Sequence, residues 1–207
     1  MLLAYLKENY TPNEPIFFAD IPAEGRSKPA LSAELRTLCE SGDLCKYDKG
    51  VFYLPKKSVL NMPVIPAADT VAHYKYIARR GKTYGYYGGN TLANHFGVST
   101  QVPRKPEIVS NIMTAKVKEV RIGKMTFIVR RPTVEVTNQN VDVLRLLELL
   151  KHLEYYMDEE YDDVKDHIRE YIDTHSIKKK DVDQYIRRFP LTVFKNYYEL
   201  EMEHVLA

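Results

Sequence analysis

Lys28, Ser32 and Arg36 recur at intervals of four, which on a helix places them in one stripe. That set of side chains suits nucleic acid. A guanidinium can take a guanine edge bidentately, worth about 1–3 kcal/mol of base discrimination, and Lys28 and Ser32 suit phosphate or base contacts. Lys46 and Lys49 lie a short way downstream and suit the phosphate backbone, which fixes register without carrying sequence information. A second basic set comprises Arg79, Arg80 and Lys82, beside Tyr84, Tyr86 and Tyr87, with Arg104 and Lys105 further on. Arg130 and Arg131 belong to the same class of candidate phosphate contact. Stacked tyrosines can form a platform for single-stranded bases, although packing of an aromatic strand is the commoner role for such residues.

Other chemistry finds less support in the spacing. Asp158, Glu159, Glu160, Asp162, Asp163 and Asp166 form an acidic run that could hold a metal ion for phosphoryl chemistry. The run lacks the alternating spacing and glycine of a calcium loop, and acids near a helix start are favoured by the helix dipole alone. His73, His95, His152, His167, His175 and His204 are scattered, without an H-E-x-x-H pairing. Gly85, Gly88 and Gly89 make neither a G-x-G-x-x-G nor a Walker loop, so nucleotide binding is weakly supported. Cys39 and Cys45 do not form a C-x-x-C and read as two reduced thiols. No metal site, no cofactor and no enzyme activity are expected.

The elements that must position the first set are legible in the chain. Ser27 is a good N-cap, Pro29 is tolerated in a first helical turn, and Leu31, Leu35 and Leu38 mark a buried stripe. Gly42 stops that helix. Two strand-like runs, 44–47 and 51–54, flank Asp48-Lys49-Gly50, a hairpin signal. Upstream, segments 2–9 and 17–21 can supply two further short helices, cut by Pro12, Pro15 and Pro22. Three helices followed by a β-wing define a winged helix-turn-helix, a DNA-reading module; the bland alternative is the same fold used as a protein-contact module.

Residues 56–68, with Pro63 and Pro66, read as a linker. A helix is expected over 69–80, then an aromatic Gly-rich run, a short helix over 91–96, and strands over 108–113, 117–122 and 125–130, the last two joined by Gly123-Lys124. Helical patterns follow over 141–156, from Tyr161 to Ile172, over 181–188 and over 191–206. The expected class is therefore α+β: a winged helix-turn-helix over 1–59, a linker over 60–68, and a mixed domain over 69–207 with a small sheet at about 108–131 and a C-terminal helical bundle at about 138–206.

Charge divides the 207 residues differently. Residues 1–60 hold eight Lys/Arg against eight Asp/Glu, residues 61–135 twelve against four, and residues 136–207 ten against sixteen. A near-neutral total thus hides a basic middle and an acidic tail, and DNA would be held by the first two blocks together. The composition, 44% hydrophobic and 28% charged, fits a soluble globular protein. No apolar run approaches a membrane span and no signal peptide is visible, so a cytoplasmic protein without membrane contact is expected.

The combination of an N-terminal winged helix ending in KGVFYLP, a linker, and then YGGNTLANHFGVSTQVP leading into a small sheet resembles the antitoxins of type IV abortive-infection toxin–antitoxin systems (the AbiEi type). The matching residues are Gly88, Leu92, Ala93, Asn94, Gly97, Ser99, Thr100, Gln101, Val102 and Pro103. The resemblance covers residues 1 to about 135 and extends to the helical tail only in general layout. It implies a transcriptional autorepressor that binds inverted repeats in its own promoter through the winged helix. It also implies a functional partner, a nucleotidyltransferase-like toxin, whose neutralisation does not require a stable complex. A solitary regulator without a toxin, a protein-interaction module, and a nucleic-acid enzyme with an acidic metal site are the competing readings.

Overall fold

In the computed structural model, which describes residues 1–59, 61–158 and 160–206, the chain is α+β. It divides into two units: Met1–Tyr74 together with Ile122–Met125, and Lys75–Arg121 together with the chain from Thr126 onward.

The first unit opens with α1 (Leu2–Asn9), whose Leu2 and Leu6 lie one turn apart and are both buried. The helix expected over 17–21 does not form. Ile16 and Phe17 instead make a short strand, β1 (Ile16–Phe17), paired antiparallel with Phe52 and Val51, and Phe18–Asp20 is a single 3-10 turn. Pro15 and Pro22 bracket only six residues, and the cross-strand pairing of the buried Ile16 and Phe17 prevails there.

Helix α2 (Lys28–Glu40) begins as the sequence predicts, with the Ser27 hydroxyl accepting from the Ala30 N–H at 3.3 Å. Leu31 and Leu35 are buried on its inner face. Gly42, at φ +80, ends the turn that follows, and Leu44 N–H donates to the Leu38 carbonyl at 3.0 Å. Strands β2 (Cys45–Asp48) and β3 (Val51–Tyr53) pair antiparallel, giving a three-stranded sheet of order β1-β3-β2. Leu2, Leu6, Ile16, Leu31, Leu35, Leu44 and Phe52 form the core of this unit.

The expected linker is not wholly irregular. Lys56–Lys57 (β4) and Pro63–Val64 (β5) pair antiparallel; residue 60 lies outside the described residues. Helix α3 (Ala68–Tyr76) stops four residues short of the expected end. Arg80 and Gly81 have φ of +51 and +71, the two-residue turn that a tight hairpin demands, and they join β6 (Ala78–Arg79) to β7 (Lys82–Thr83).

Then come β8 (Gly85–Gly88), α4 (Gly89–His95), β9 (Glu107–Ser110), β10 (Val117–Ile122) and β11 (Met125–Arg130), all in the second unit but for Ile122 and Met125 at the hairpin turn. The four strands form one sheet of order β10-β11-β9-β8, with β8–β9 antiparallel and β11–β9 parallel. Six helices follow: α5 (Val141–Leu150), α6 (Leu153–Tyr156), α7 (Tyr161–Thr174), α8 (Lys179–Tyr185), α9 (Leu191–Glu199) and α10 (Met202–Val205). The helix expected over 141–156 is interrupted at Lys151–His152. There the Asn196 amide and the Thr192 hydroxyl donate to the carbonyls of Leu150 and Lys151, satisfying groups a continuous helix would have bonded internally. The helix expected over 191–206 breaks at Glu201, which adopts φ +51. Leu92, Phe96, Val109, Leu146, Leu147, Ile168 and Val193 belong to the core of this unit. Among the described residues, no helix is long and apolar enough to cross a membrane.

Candidate functional site

Burial of Leu31 and Leu35 turns the opposite face of α2 outward. Lys28, Ser32 and Arg36 are all exposed on it, with Ala33 and Thr37 alongside. Arg36 makes one ion pair, to Glu40 at 3.6 Å, with both side chains largely exposed at 77% and 69%. Such a pair contributes a few tenths of a kcal/mol, so it does not hold the guanidinium back from a stronger acceptor. The carboxylates nearest the start of α2 are engaged elsewhere: Glu24 and Glu34 both bind Arg26, at 2.7 and 2.8 Å. Lys46 is exposed on β2, opposite the half-buried Cys45 and Tyr47 in the alternation. Lys49 is exposed in the β2–β3 turn, where its N–H donates to Asp48 Oδ1 at 2.7 Å. That turn is tied down by the Phe18 N–H, which donates to the Gly50 carbonyl at 2.9 Å. All five residues of the first set therefore belong to one unit, on one helix and the hairpin that follows it. Cys39 and Cys45 are free thiols; burial and the neighbouring Cys45 push the Cys39 thiol up.

The second basic set does not form one patch. Gly85 pairs with Ser110 and Gly88 with Glu107. Arg79, Arg80 and Lys82 therefore lead into one end of the β8–β9 pair, and Arg104 and Lys105 into the other, a strand length of about 10 Å apart. Lys105 is paired with Glu119 at 2.6 Å, and the Arg79 guanidinium lies 6.0 Å from the centroid of the Tyr84 ring. Tyr84 and Tyr86 are buried, so they pack the core and do not offer a stacking platform.

Arg130 is withdrawn from any phosphate role. Its Nε donates to Glu107 Oε1 and its Nη2 to Glu148 Oε1, both at 2.5 Å, and Lys151 Nζ lies 3.5 Å from Glu148. Glu148 is 4% exposed. Burial, and then the negative charge of Glu148, push the Tyr86 hydroxyl far up; burial and the carboxylates of Glu107 and Glu148 push Tyr156 up to about 12. A side chain at Gly88 would meet Glu107 Oε1 at 2.9 Å, so this part of the Gly-rich run serves close packing.

The Ser99-Thr100-Gln101 segment also acquires a local role. Asp158 Oδ2 accepts from the Thr100 N–H at 2.8 Å and from the Ser99 and Thr100 hydroxyls at 3.1 Å, while Gln101 Nε2 donates to Oδ1 at 3.2 Å. These bonds, with the Thr100 N–H the largest contribution, hold the Asp158 carboxyl below its ordinary value. Glu159 of the acidic run lies outside the described residues. Asp163, Asp166, His167 and Glu170 line a shallow depression on α7, and His95, His167, Glu170 and His175 line a neighbouring cleft of about 390 Å³. Among the described residues, no three His, Cys, Asp or Glu side chains are arranged to hold a metal ion.

One basic element was picked out in the sequence only at Arg131. Lys116, Lys118, Arg121, Lys124 and Arg131 are all exposed on or beside the β10–β11 hairpin, against the single carboxylate of Glu119. The sequence signal was present in the charge of residues 61–135, but not its concentration on one hairpin.

The architecture is thus an α+β protein whose first unit exposes Lys28, Ser32 and Arg36 on one helix and Lys46 and Lys49 on the hairpin that follows, and whose second unit is a sheet with a helical layer. The chain belongs to DUF6088, a family of unknown function, whose family model matches residues 11–180. No curated protein matches it.

Proposed function

We propose that this chain is a winged helix-turn-helix DNA-binding autorepressor, acting in the cytoplasm as the antitoxin of a type IV toxin–antitoxin system. The observation that carries the reading is the division of α2 into a buried leucine face and an exposed Lys28–Ser32–Arg36 stripe, followed directly by a β-hairpin with Lys46 and Lys49. The order α1, β1, a single 3-10 turn, α2, β2, β3, with β1 pairing β3, suits a winged helix in which the turn replaces the middle helix. In that arrangement α2 enters the major groove and the hairpin follows the adjacent backbone. The antitoxin assignment rests on the resemblance of residues 88–103. Its ligand is duplex DNA with inverted repeats from the chain's own promoter, and its functional partner is a nucleotidyltransferase-like toxin that it need not bind stably.

Fluorescence anisotropy with the chain's own promoter duplex and a scrambled duplex tests the reading. Promoter-selective binding that weakens roughly 5- to 150-fold in Arg36→Ala is expected, corresponding to about 1–3 kcal/mol for one lost base contact. Equal, weak binding to both duplexes, unchanged by the substitution, would overturn it. The balance of eight basic and eight acidic residues in positions 1–60 favours one second reading, a protein-interaction module. That reading predicts a stable complex with the co-expressed toxin and little duplex affinity.

A further inference from the structure

The β10–β11 hairpin carries charge of almost one sign. Lys116, Lys118, Arg121, Lys124 and Arg131 are exposed along it, from its base to its turn. The one carboxylate on it, Glu119, is occupied by Lys105 at 2.6 Å. Each strand has six residues, so the ribbon runs for about 20 Å. We infer that this hairpin is a second phosphate-binding arm, gripping the DNA backbone without reading sequence. The inference rests on the reading of the chain as a duplex-DNA binder and adds to it a contact outside the helix and hairpin of the first sixty residues.

A plain alternative exists for lysines here. β10 is an edge strand, last in the order β10-β11-β9-β8, and edge strands commonly carry lysine to block pairing with another chain. Blocking requires charge but not one sign, and a mixture of lysine and glutamate would serve equally. Four cations, Lys116, Lys118, Lys124 and Arg131, against one neutralised carboxylate go beyond that need. They instead provide the condition for counterion release, in which each neutralised phosphate frees condensed cations from the duplex. The turn has a further placement. Within the first unit, a side chain at Gly123 would meet the Tyr47 hydroxyl at 2.6 Å, so the turn bearing Lys124 lies against β2, the strand of Lys46.

The test is the salt dependence of promoter binding by the full chain. Wild type is compared with Lys116→Gln/Lys118→Gln/Lys124→Gln, and with Lys124→Gln alone as a milder change whose melting temperature should match wild type. Each lost phosphate contact lowers the slope of log affinity against log salt by about 0.9, so the triple variant should lose about 2.7 and the single about 0.9. Between 50 and 200 mM salt, the triple variant's affinity should therefore fall about 40-fold less than that of wild type. The preference for promoter over scrambled duplex should stay the same, because phosphate contacts carry no sequence information. Wild type that binds the promoter with a slope unchanged in both variants would overturn the arm and leave the repressor reading standing. Wild type that binds no duplex would overturn both.

Discussion

Asp158 shows how much a single carboxylate can organise. It is an exposed side chain, yet one of its oxygens accepts from the Thr100 N–H and two hydroxyls while the other accepts from Gln101. These bonds favour its charged form, so its folded-state value lies below the ordinary 3.8. The sign follows from linkage: the stabilisation is fully present above 3.8 and is lost as pH falls through the depressed folded value. Asp158→Asn should therefore lower the urea midpoint at pH 6, and the gap from wild type should close as pH is taken below 3.8. A gap independent of pH would mean that the charge plays no part. The role was not legible in the sequence, because Asp158 read as one member of an acidic run and its partners lie 57 to 59 residues away. Ser27 is the opposite case. Its capping role follows from its position before Pro29 and the leucine stripe, and its hydroxyl does accept from the Ala30 N–H. Ser27→Ala should cost about 1 kcal/mol of stability in denaturant titration.

At the scale of elements, the hub of Arg130, Glu107 and Glu148 joins β11, β9 and α5. Removing the guanidinium leaves two carboxylates together, one of them almost wholly buried, a change that typically costs 3–5 kcal/mol. Arg130→Ala should therefore destabilise the chain by roughly that amount in a urea titration, and Arg130→Lys should recover only part, since an ammonium cannot replace the fork. A loss under 1 kcal/mol would show that water solvates the pair. Gly85→Ala should also be severe, because a Cβ there would overlap the backbone oxygens of Tyr76 and Val109. The elements that spacing predicted well are those whose signals are local. α1, α2 and the β10–β11 hairpin follow from leucine periodicity, a cap and a Gly-containing turn. Those it missed depend on distant partners: β1 exists because Ile16 finds Phe52, and α5 ends at Leu150 because Asn196 and Thr192 cap it. The split of the second basic set has the same origin, since only the β8–β9 register shows that Lys82 and Lys105 lie at opposite ends.

Across the whole molecule, two hydrophobic clusters with no residue in common stand behind the two units. Leu35 is 1% exposed in the first and Leu147 fully buried in the second. Truncating either to alanine removes a buried isobutyl group and should cost about 2–5 kcal/mol. Opening free energies vary between cooperative segments of one protein, so the two losses should register in different places. In hydrogen exchange, Leu35→Ala should deprotect the amides of α1, α2, β2 and β3 while those of α5 and α7 keep their protection; Leu147→Ala should do the reverse. Leu35 also holds the inner face of the helix that carries Lys28, Ser32 and Arg36. On the proposed repressor reading, its truncation should weaken promoter binding by the fraction of molecules in which that helix has opened, and more so on warming. Equal loss of protection throughout the chain from either substitution would mean that it unfolds as one cooperative body, and DNA affinity would then track global stability and not the first cluster.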